Sequence, residues 1–171
     1  MTVHVRRIRS DDGPLLKTMR LAALADTPFA FGSTHAAEAV LTDDDWTVRA
    51  ERAAGGDYSL YVVAELDGGR VVGIAGAYRP DPSRHVVDLV SMWTAPEARR
   101  TGAGRLLVRA VVDWARSTGA AAVELWVTRG NDPAERLYRS MGFVETGDHQ
   151  PLPSDPCKDE LRMTLPLGPV T

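Results

Sequence analysis

Arg99-Arg100-Thr101-Gly102-Ala103-Gly104-Arg105-Leu106 joins a run of strand-forming residues to an amphipathic helical one. Upstream, His85-Val86-Val87-Asp88-Leu89-Val90-Ser91-Met92-Trp93 is rich in β-branched and apolar residues. Downstream, Leu107, Ala110, Val111 and Trp114 recur at helical spacing. A strand that turns through glycines into a helix aims unpaired backbone N–H groups, and the positive end of the helix dipole, at one point. Such a turn suits a phosphate or pyrophosphate.

The rest of the chain alternates strands and helices, with no linker long enough to divide it, so 1–171 is expected to form one domain. Val3 to Ile8 reads as a first strand. Asp11-Asp12-Gly13-Pro14 opens a helix running to about Ala25, with Leu16, Met19 and Ala23 on its buried side. Thr27 to Gly32 breaks it. Thr42 then caps a second helix whose Asp43, Asp44 and Asp45 suit a helix N-terminus, with Trp46 and Val48 among its apolar residues. Tyr58–Leu66 and Val71–Tyr78 form a hairpin through Asp67-Gly68-Gly69. A third strand covers Arg84 to Trp93. The helix from Gly102 to Ser117 stops at Gly119, and Ala121 to Val127 makes a short apolar strand. A helix, a Met141-Gly142-Phe143 turn and strands near Phe143–Thr146 and Glu160–Leu165 follow. The order describes a mixed α/β or α+β sheet with helices packed on it.

Composition narrows the class. The 171 residues are 44% hydrophobic and 25% charged, the balance of an ordinary globular domain. A net charge of −3 argues against a nucleic-acid binder. No apolar run reaches the ~20 residues of a membrane span. The opening Met1-Thr2-Val3-His4-Val5-Arg6-Arg7 lacks a signal-peptide core, and Cys157 is the only cysteine. The expectation is a cytoplasmic protein with no membrane or nucleic-acid partner and no cysteine-based metal cluster.

A second cluster follows the Val127 strand: Asn131-Asp132-Pro133-Ala134-Glu135-Arg136-Leu137-Tyr138. Asp132 reads as N-cap, Pro133 as the first helical residue and Glu135 as a capping-box partner. Ala134, Leu137 and Met141 then face the sheet, with Tyr138 at the edge of that face.

Together the two clusters resemble the GNAT superfamily of acyl-CoA-dependent N-acetyltransferases. Its cofactor motif, Arg/Gln-x-x-Gly-x-Gly/Ala, is met by Arg99, Gly102 and Gly104. Asn131, Tyr138 and Gly142-Phe143 fill the places of its second motif in order, and Arg162-Met163-Thr164-Leu165 looks like its last strand. Arg100 departs from the glycine that many members carry. The resemblance implies a mixed, mostly antiparallel sheet of about seven strands with about four helices. It also implies acetyl-CoA as cosubstrate, no metal, and a small-molecule or protein amine as acceptor, in a possible homodimer.

On that resemblance, backbone groups from Arg100 through Thr101, Gly102, Ala103 and Gly104 to Arg105 cradle the pyrophosphate, with charge from Arg99, Arg100 or Arg105. Met92 and Thr94 offer main-chain groups to the pantetheine arm, and a Met92 N–H polarises the thioester carbonyl. Asn131 bonds the cofactor arm or a water. Tyr138 is the general acid for the departing thiolate, since a phenol stays protonated at neutral pH. For the base, Glu65, His85, Asp88 and Glu38 are candidates beside a water chain. Phe29, Phe31 and Trp46 are candidates for the acceptor wall, with Glu38 and Asp43 to Asp45 as attractors of a cationic amine. Each has an ordinary role as core aromatic, helix cap or surface charge. Two other classes stay open: an acyl-CoA-binding module without catalysis, and an unrelated nucleotide-phosphate binder.

Overall fold

The computed structural model describes residues 2–169. Its sheet has seven strands in the order β1-β2-β3-β4-β5-β7-β6. These are β1 Val3–Arg7, β2 Ser59–Leu66, β3 Val71–Tyr78, β4 Val86–Thr94, β5 Ala122–Thr128, β6 Val144–Leu152 and β7 Asp155–Pro166. The helices are α1 Gly13–Asp26, α2 His35–Ala39, α3 Asp43–Ala54, α4 Ala103–Ser117 and α5 Asp132–Ser140. Every pairing is antiparallel except β4 with β5, which run parallel.

Local chemistry accounts for the element ends. Thr42 accepts the Asp45 N–H while Asp45 accepts from the Thr42 backbone, a complete capping box that starts α3. The β2–β3 turn takes its two glycines at positive φ, Gly68 at 94° and Gly69 at 83°, where a Cβ would be strained. α4 lies close on the sheet: a Cβ on Gly73 would sit 2.9 Å from Leu107 Cδ1. Leu107, Val108, Val111 and Ala115 of α4 are fully buried beneath it.

Three expectations are corrected. The last two strands are far longer than expected, and mostly exposed on β6, because a sheet edge needs no apolar alternation. α2, absent from the reading, is one short turn capped by the Thr34 hydroxyl, which accepts the Ala37 N–H at 3.1 Å. On α5 the N-cap is Asn131, not Asp132, and Pro133 is the second helical residue. Ala134, Leu137 and Met141 pack partly buried against the core as expected, while Tyr138, expected at the edge of that face, is the helix's buried residue.

The sheet opens between β4 and β5. Their pairing covers only Val86–Ala122, Val87–Val123 and Asp88–Glu124. Beyond Asp88, β4 keeps only β3, and beyond Glu124, β5 keeps only β7. A bulge sits on the free part of β4: Ser91 and Met92 together oppose Ala75, with Ser91 at φ 54°. Two strands diverging from a shared origin leave a wedge through the sheet, with β4 backbone along one wall.

Candidate active site

The wedge is the mouth of a cavity of about 920 Å³. Its walls are the free ends of β4 (Leu89–Thr94) and β5 (Trp126–Thr128), the glycine turn, and the first turns of α5. Met92 and Thr94, on the part of β4 unpaired with β5, border it. α5, entering from the end of β5, brings Asn131 and Tyr138 to the opposite side.

The two motif glycines are needed for different physical reasons. Gly102 sits at φ 92° with no atom within 4 Å of a Cβ built on it, so conformation alone demands glycine. Gly104 has an ordinary helical backbone, but its Cβ would lie 3.2 Å from Leu137 Cδ2 and 3.3 Å from Met92 Cε. A side chain there would press on both walls of the cavity. Arg100, where a glycine was noted as the common residue, holds φ 66° and shares the strain of the turn. The N–H groups at the start of α4 have no intrahelical acceptors and face this turn.

The arginines divide in their roles. Arg99 is bound: its guanidinium pairs with Asp26, and its Nε donates to the Thr94 carbonyl at 3.2 Å. It braces the turn against α1. Arg105 donates to Ser140 Oγ at 2.9 Å, linking α4 to the end of α5. Arg100 and Arg136 border the cavity and are exposed. Among the described residues, neither has a salt-bridge partner. Arg136 was missed by sequence reasoning; its place one turn before Ser140, on the helix that walls the cavity, is the signal that would have found it. Thr101 turns its hydroxyl back to the Ala98 carbonyl at 2.6 Å, and the Ala103 side chain is buried in the core. Of these two only main-chain groups can serve a ligand.

Tyr138 is 5% exposed and borders the cavity. Its ring packs at a tilt on Phe143, with centroids 5.7 Å apart. Desolvation pushes its hydroxyl pKa upward, so the phenol keeps its proton across the working pH range. Asn131 accepts the Glu135 N–H with its backbone carbonyl while its side chain makes no cap, which leaves the amide for the cavity.

Of the four base candidates, none lines the cavity. Glu65 binds Arg6 Nε at 2.7 Å across the β1–β2 pair. His85 stands at φ 52° in the turn before β4. Glu38 is 7% exposed and gripped by Arg20, with Nη2 at 2.8 Å, and by Arg49 at 3.3 Å. Those guanidiniums hold its carboxyl below the usual range despite the opposing effect of burial. Asp88 is adjacent in sequence to the lining residues. It is the last β4 residue paired with β5, opposite Tyr78. Burial raises its pKa, against the pull of Arg162 and Arg84.

The acceptor wall is also revised. Phe29 and Phe31 border the cavity, whereas Trp46 is buried in the core under Arg49. The acidic run does not face the cavity either: Asp43 pairs with Lys17 at 2.8 Å and Asp45 is consumed by the capping box. Trp126, not singled out in the sequence, supplies the third aromatic wall. Among the described residues no group of three or more metal-ligating side chains occurs, and no helix is long and apolar enough to cross a membrane.

A wedge between parallel strands, a glycine turn at a helix start and a buried tyrosine bordering the same cavity form the arrangement that the resemblance implies. The family profile of the acetyltransferase (GNAT) family matches residues 19–143, and the chain belongs to that family. It is 36% identical over 115 residues to the N-alpha-acetyltransferase RimI of Mycobacterium tuberculosis, covering 65% of this chain and 69% of that protein. It is 30% identical over 126 residues to a mycothiol acetyltransferase of Pseudarthrobacter chlorophenolicus, covering 72% of this chain but 36% of the relative. The chain thus spans about a third of that longer protein. The structure of yncA, a putative acetyltransferase from Salmonella typhimurium solved with acetyl-CoA, superposes with a TM-score of 0.78. That likeness covers 100% of this chain and 97% of the other at 21% identity.

Proposed function

We propose that this chain transfers the acetyl group of acetyl-CoA to a primary amine by direct attack in a ternary complex. The observation that carries the reading is the wedge itself. The glycine turn, Met92 and Tyr138 all border one cavity, which supports reading the turn as a phosphate site and the Met92 backbone and Tyr138 as the groups around the thioester. The residues fit the cosubstrate: unpaired helix N–H groups and Arg100, Arg136 and Arg105 suit its phosphates, and the free β4 edge suits an extended arm with amide groups.

The chemistry then divides among named groups. The amine nitrogen forms a bond to the thioester carbon, and the Met92 N–H stabilises the negative charge growing on the carbonyl oxygen. As the carbon–sulfur bond breaks, Tyr138 gives its proton to the thiolate sulfur. The proton lost by the amine goes toward Asp88 through water, since that carboxylate sits at the closed end of the wedge and burial makes it more basic. A single unpaired cysteine and an acidic net charge support a cytoplasmic setting. The test is release of free thiol from acetyl-CoA across an amine panel, with Tyr138→Phe as control. Tight acetyl-CoA binding without transfer to any amine would leave a binding module instead.

A further inference from the structure

The acceptor end of the cavity carries a pattern that narrows the amine. Its walls are Phe29, Phe31, Leu89, Val90, Trp126 and Val127. Among the described residues no carboxylate and no imidazole borders the cavity, and the charged groups that do are arginines. Apart from Asp88 at the closed end of the wedge, the neighbouring acids are already held. Glu38 is bound by Arg20 and Arg49, Asp43 by Lys17, and Asp26 by Trp93 and Arg99. A substrate with several ammonium groups would desolvate them with only the single Asp88 carboxylate nearby to meet.

Two of the three aromatic walls carry an arginine over the ring. The Arg20 guanidinium lies 4.8 Å from the Phe31 ring centroid, and Arg162 lies 5.5 Å from that of Trp126. Each of these arginines is itself tied to a carboxylate, Arg20 to Glu38 and Arg162 to Glu124. The segment carrying Phe29 and Phe31 is latched at two points. Thr128 Oγ1 donates to the Phe29 carbonyl at 2.7 Å, and Ser154 Oγ donates to the Phe31 carbonyl. Phe29, 42% exposed, is left with a free ring at the rim. Pre-set rings lose little side-chain freedom when they bind, which favours a flat apolar body between them.

We propose that the acceptor is a small primary monoamine joined to an aromatic or comparably flat apolar body. Resting on the acetyl-transfer reading above, this assigns Phe29, Phe31 and Trp126 as specificity-determining residues. The latched wall favours a free small molecule over a protein chain.

The experiment uses the full chain at saturating acetyl-CoA and follows thiol release with 2-phenylethylamine, tryptamine, ethylamine, spermidine and a peptide starting with phenylalanine. The ring-bearing monoamines are expected to exceed ethylamine and spermidine in kcat/KM by about a hundredfold. Phe29→Ala and Trp126→Ala are expected to raise the KM for the aromatic amine about tenfold and leave the KM for acetyl-CoA in place. Phe29 is partly exposed, so its variant tests the wall even if Trp126→Ala folds poorly. A preference for spermidine, ethylamine or the peptide, or an unmoved KM in the folded Phe29 variant, overturns the proposal while leaving acetyl transfer intact. Binding of acetyl-CoA by calorimetry with no amine acetylated overturns the transfer reading itself.

Discussion

Trp93 Nε1 donates to Asp26 Oδ2 at 2.9 Å, fastening the last residue of α1 to the far end of β4. The same carboxylate pairs with Arg99, whose Nε reaches back to the Thr94 carbonyl. One acidic group therefore joins the helix that leads into the Phe29–Phe31 segment, the splayed end of β4 and the loop that starts the glycine turn.

Asp26→Asn keeps an acceptor for Trp93 and loses the ion pair with Arg99. The expected result is a several-fold rise in the KM for acetyl-CoA with a modest loss of stability, about 1 kcal/mol, because the pair is partly exposed. Asp26→Ala also strips the Trp93 N–H of its partner and should cost roughly 1 to 3 kcal/mol more. Urea melts beside steady-state kinetics separate the two effects.

The glycine turn gives opposite expectations at neighbouring positions. Gly102→Ala forces a Cβ into φ 92° and should destabilise by about 1 to 2 kcal/mol, although open space surrounds it. Arg100→Gly removes comparable strain at φ 66° and regains chain entropy on unfolding, so the net change should lie within about 1 kcal/mol of zero. Its acetyl-CoA affinity should still fall a few-fold, with a shallower salt dependence, because a cation leaves the cavity rim. Thermal melts and binding titrations at two salt concentrations check both.

Glu38 anchors the wall behind Phe31, and its contribution to stability should fade in acid. Its carboxyl is held below the ordinary value of 4.5, so the folded state binds this proton less readily than the unfolded chain. The stabilisation is therefore complete above that ordinary value and disappears as pH falls through the lowered one. Glu38→Gln should cost about 3 kcal/mol at pH 7, since it leaves the Arg20 guanidinium buried without its counter-charge. As pH falls through that lowered value the variant and the parent should converge, as read from urea midpoints across pH.

Much of this was legible because local chemistry fixes it. The Asp67-Gly68-Gly69 turn, the Thr42 cap and the Gly102 helix start each need particular residues whatever surrounds them. The edge strand β6 and its neighbour β7 were underread because solvent, not a core, faces most of β6. Glu38 misled for a different reason. Its carboxylate faces Arg20, eighteen positions earlier in the sequence, and only tertiary packing reveals that pairing. Trp46 likewise resembles Phe29 and Phe31 in composition, yet the capping box sets the rotation of α3 that sends it into the core. Arg136 and Trp126 carry no motif, and become visible only once the divergence of β4 from β5 creates the cavity they border.

Asp88 should separate activity from stability. Burial raises its pKa, so the unfolded chain gives up this proton at lower pH than the folded protein does. The folded state is thus penalised above the ordinary value, fully so once pH passes the raised one. Asp88→Asn should be neutral to stabilising at pH 7. If the carboxylate accepts the amine proton, kcat should fall by about tenfold or more, and the acidic limb of the pH–rate profile should vanish. Unchanged kcat in a stabilised variant would assign the proton to water alone.

Tyr138 is the sharpest test because the substitution is so small. Tyr138→Phe keeps the ring that packs on Phe143 and removes one hydroxyl. Among the described residues that hydroxyl has no hydrogen-bond partner, so folding loses nothing by its removal and stability should hold within about 1 kcal/mol. The pyrophosphate turn and the β4 edge are untouched, so acetyl-CoA affinity should stay within about twofold. If the phenol protonates the leaving thiolate, kcat should fall by roughly a hundredfold or more, the usual worth of a placed general acid. An acyl donor whose leaving thiol has a lower pKa needs that proton less, so it should recover part of the loss in the variant and gain little in the parent. A uniform loss for both donors would instead make Tyr138 a wall of the thioester pocket, with the proton supplied by water.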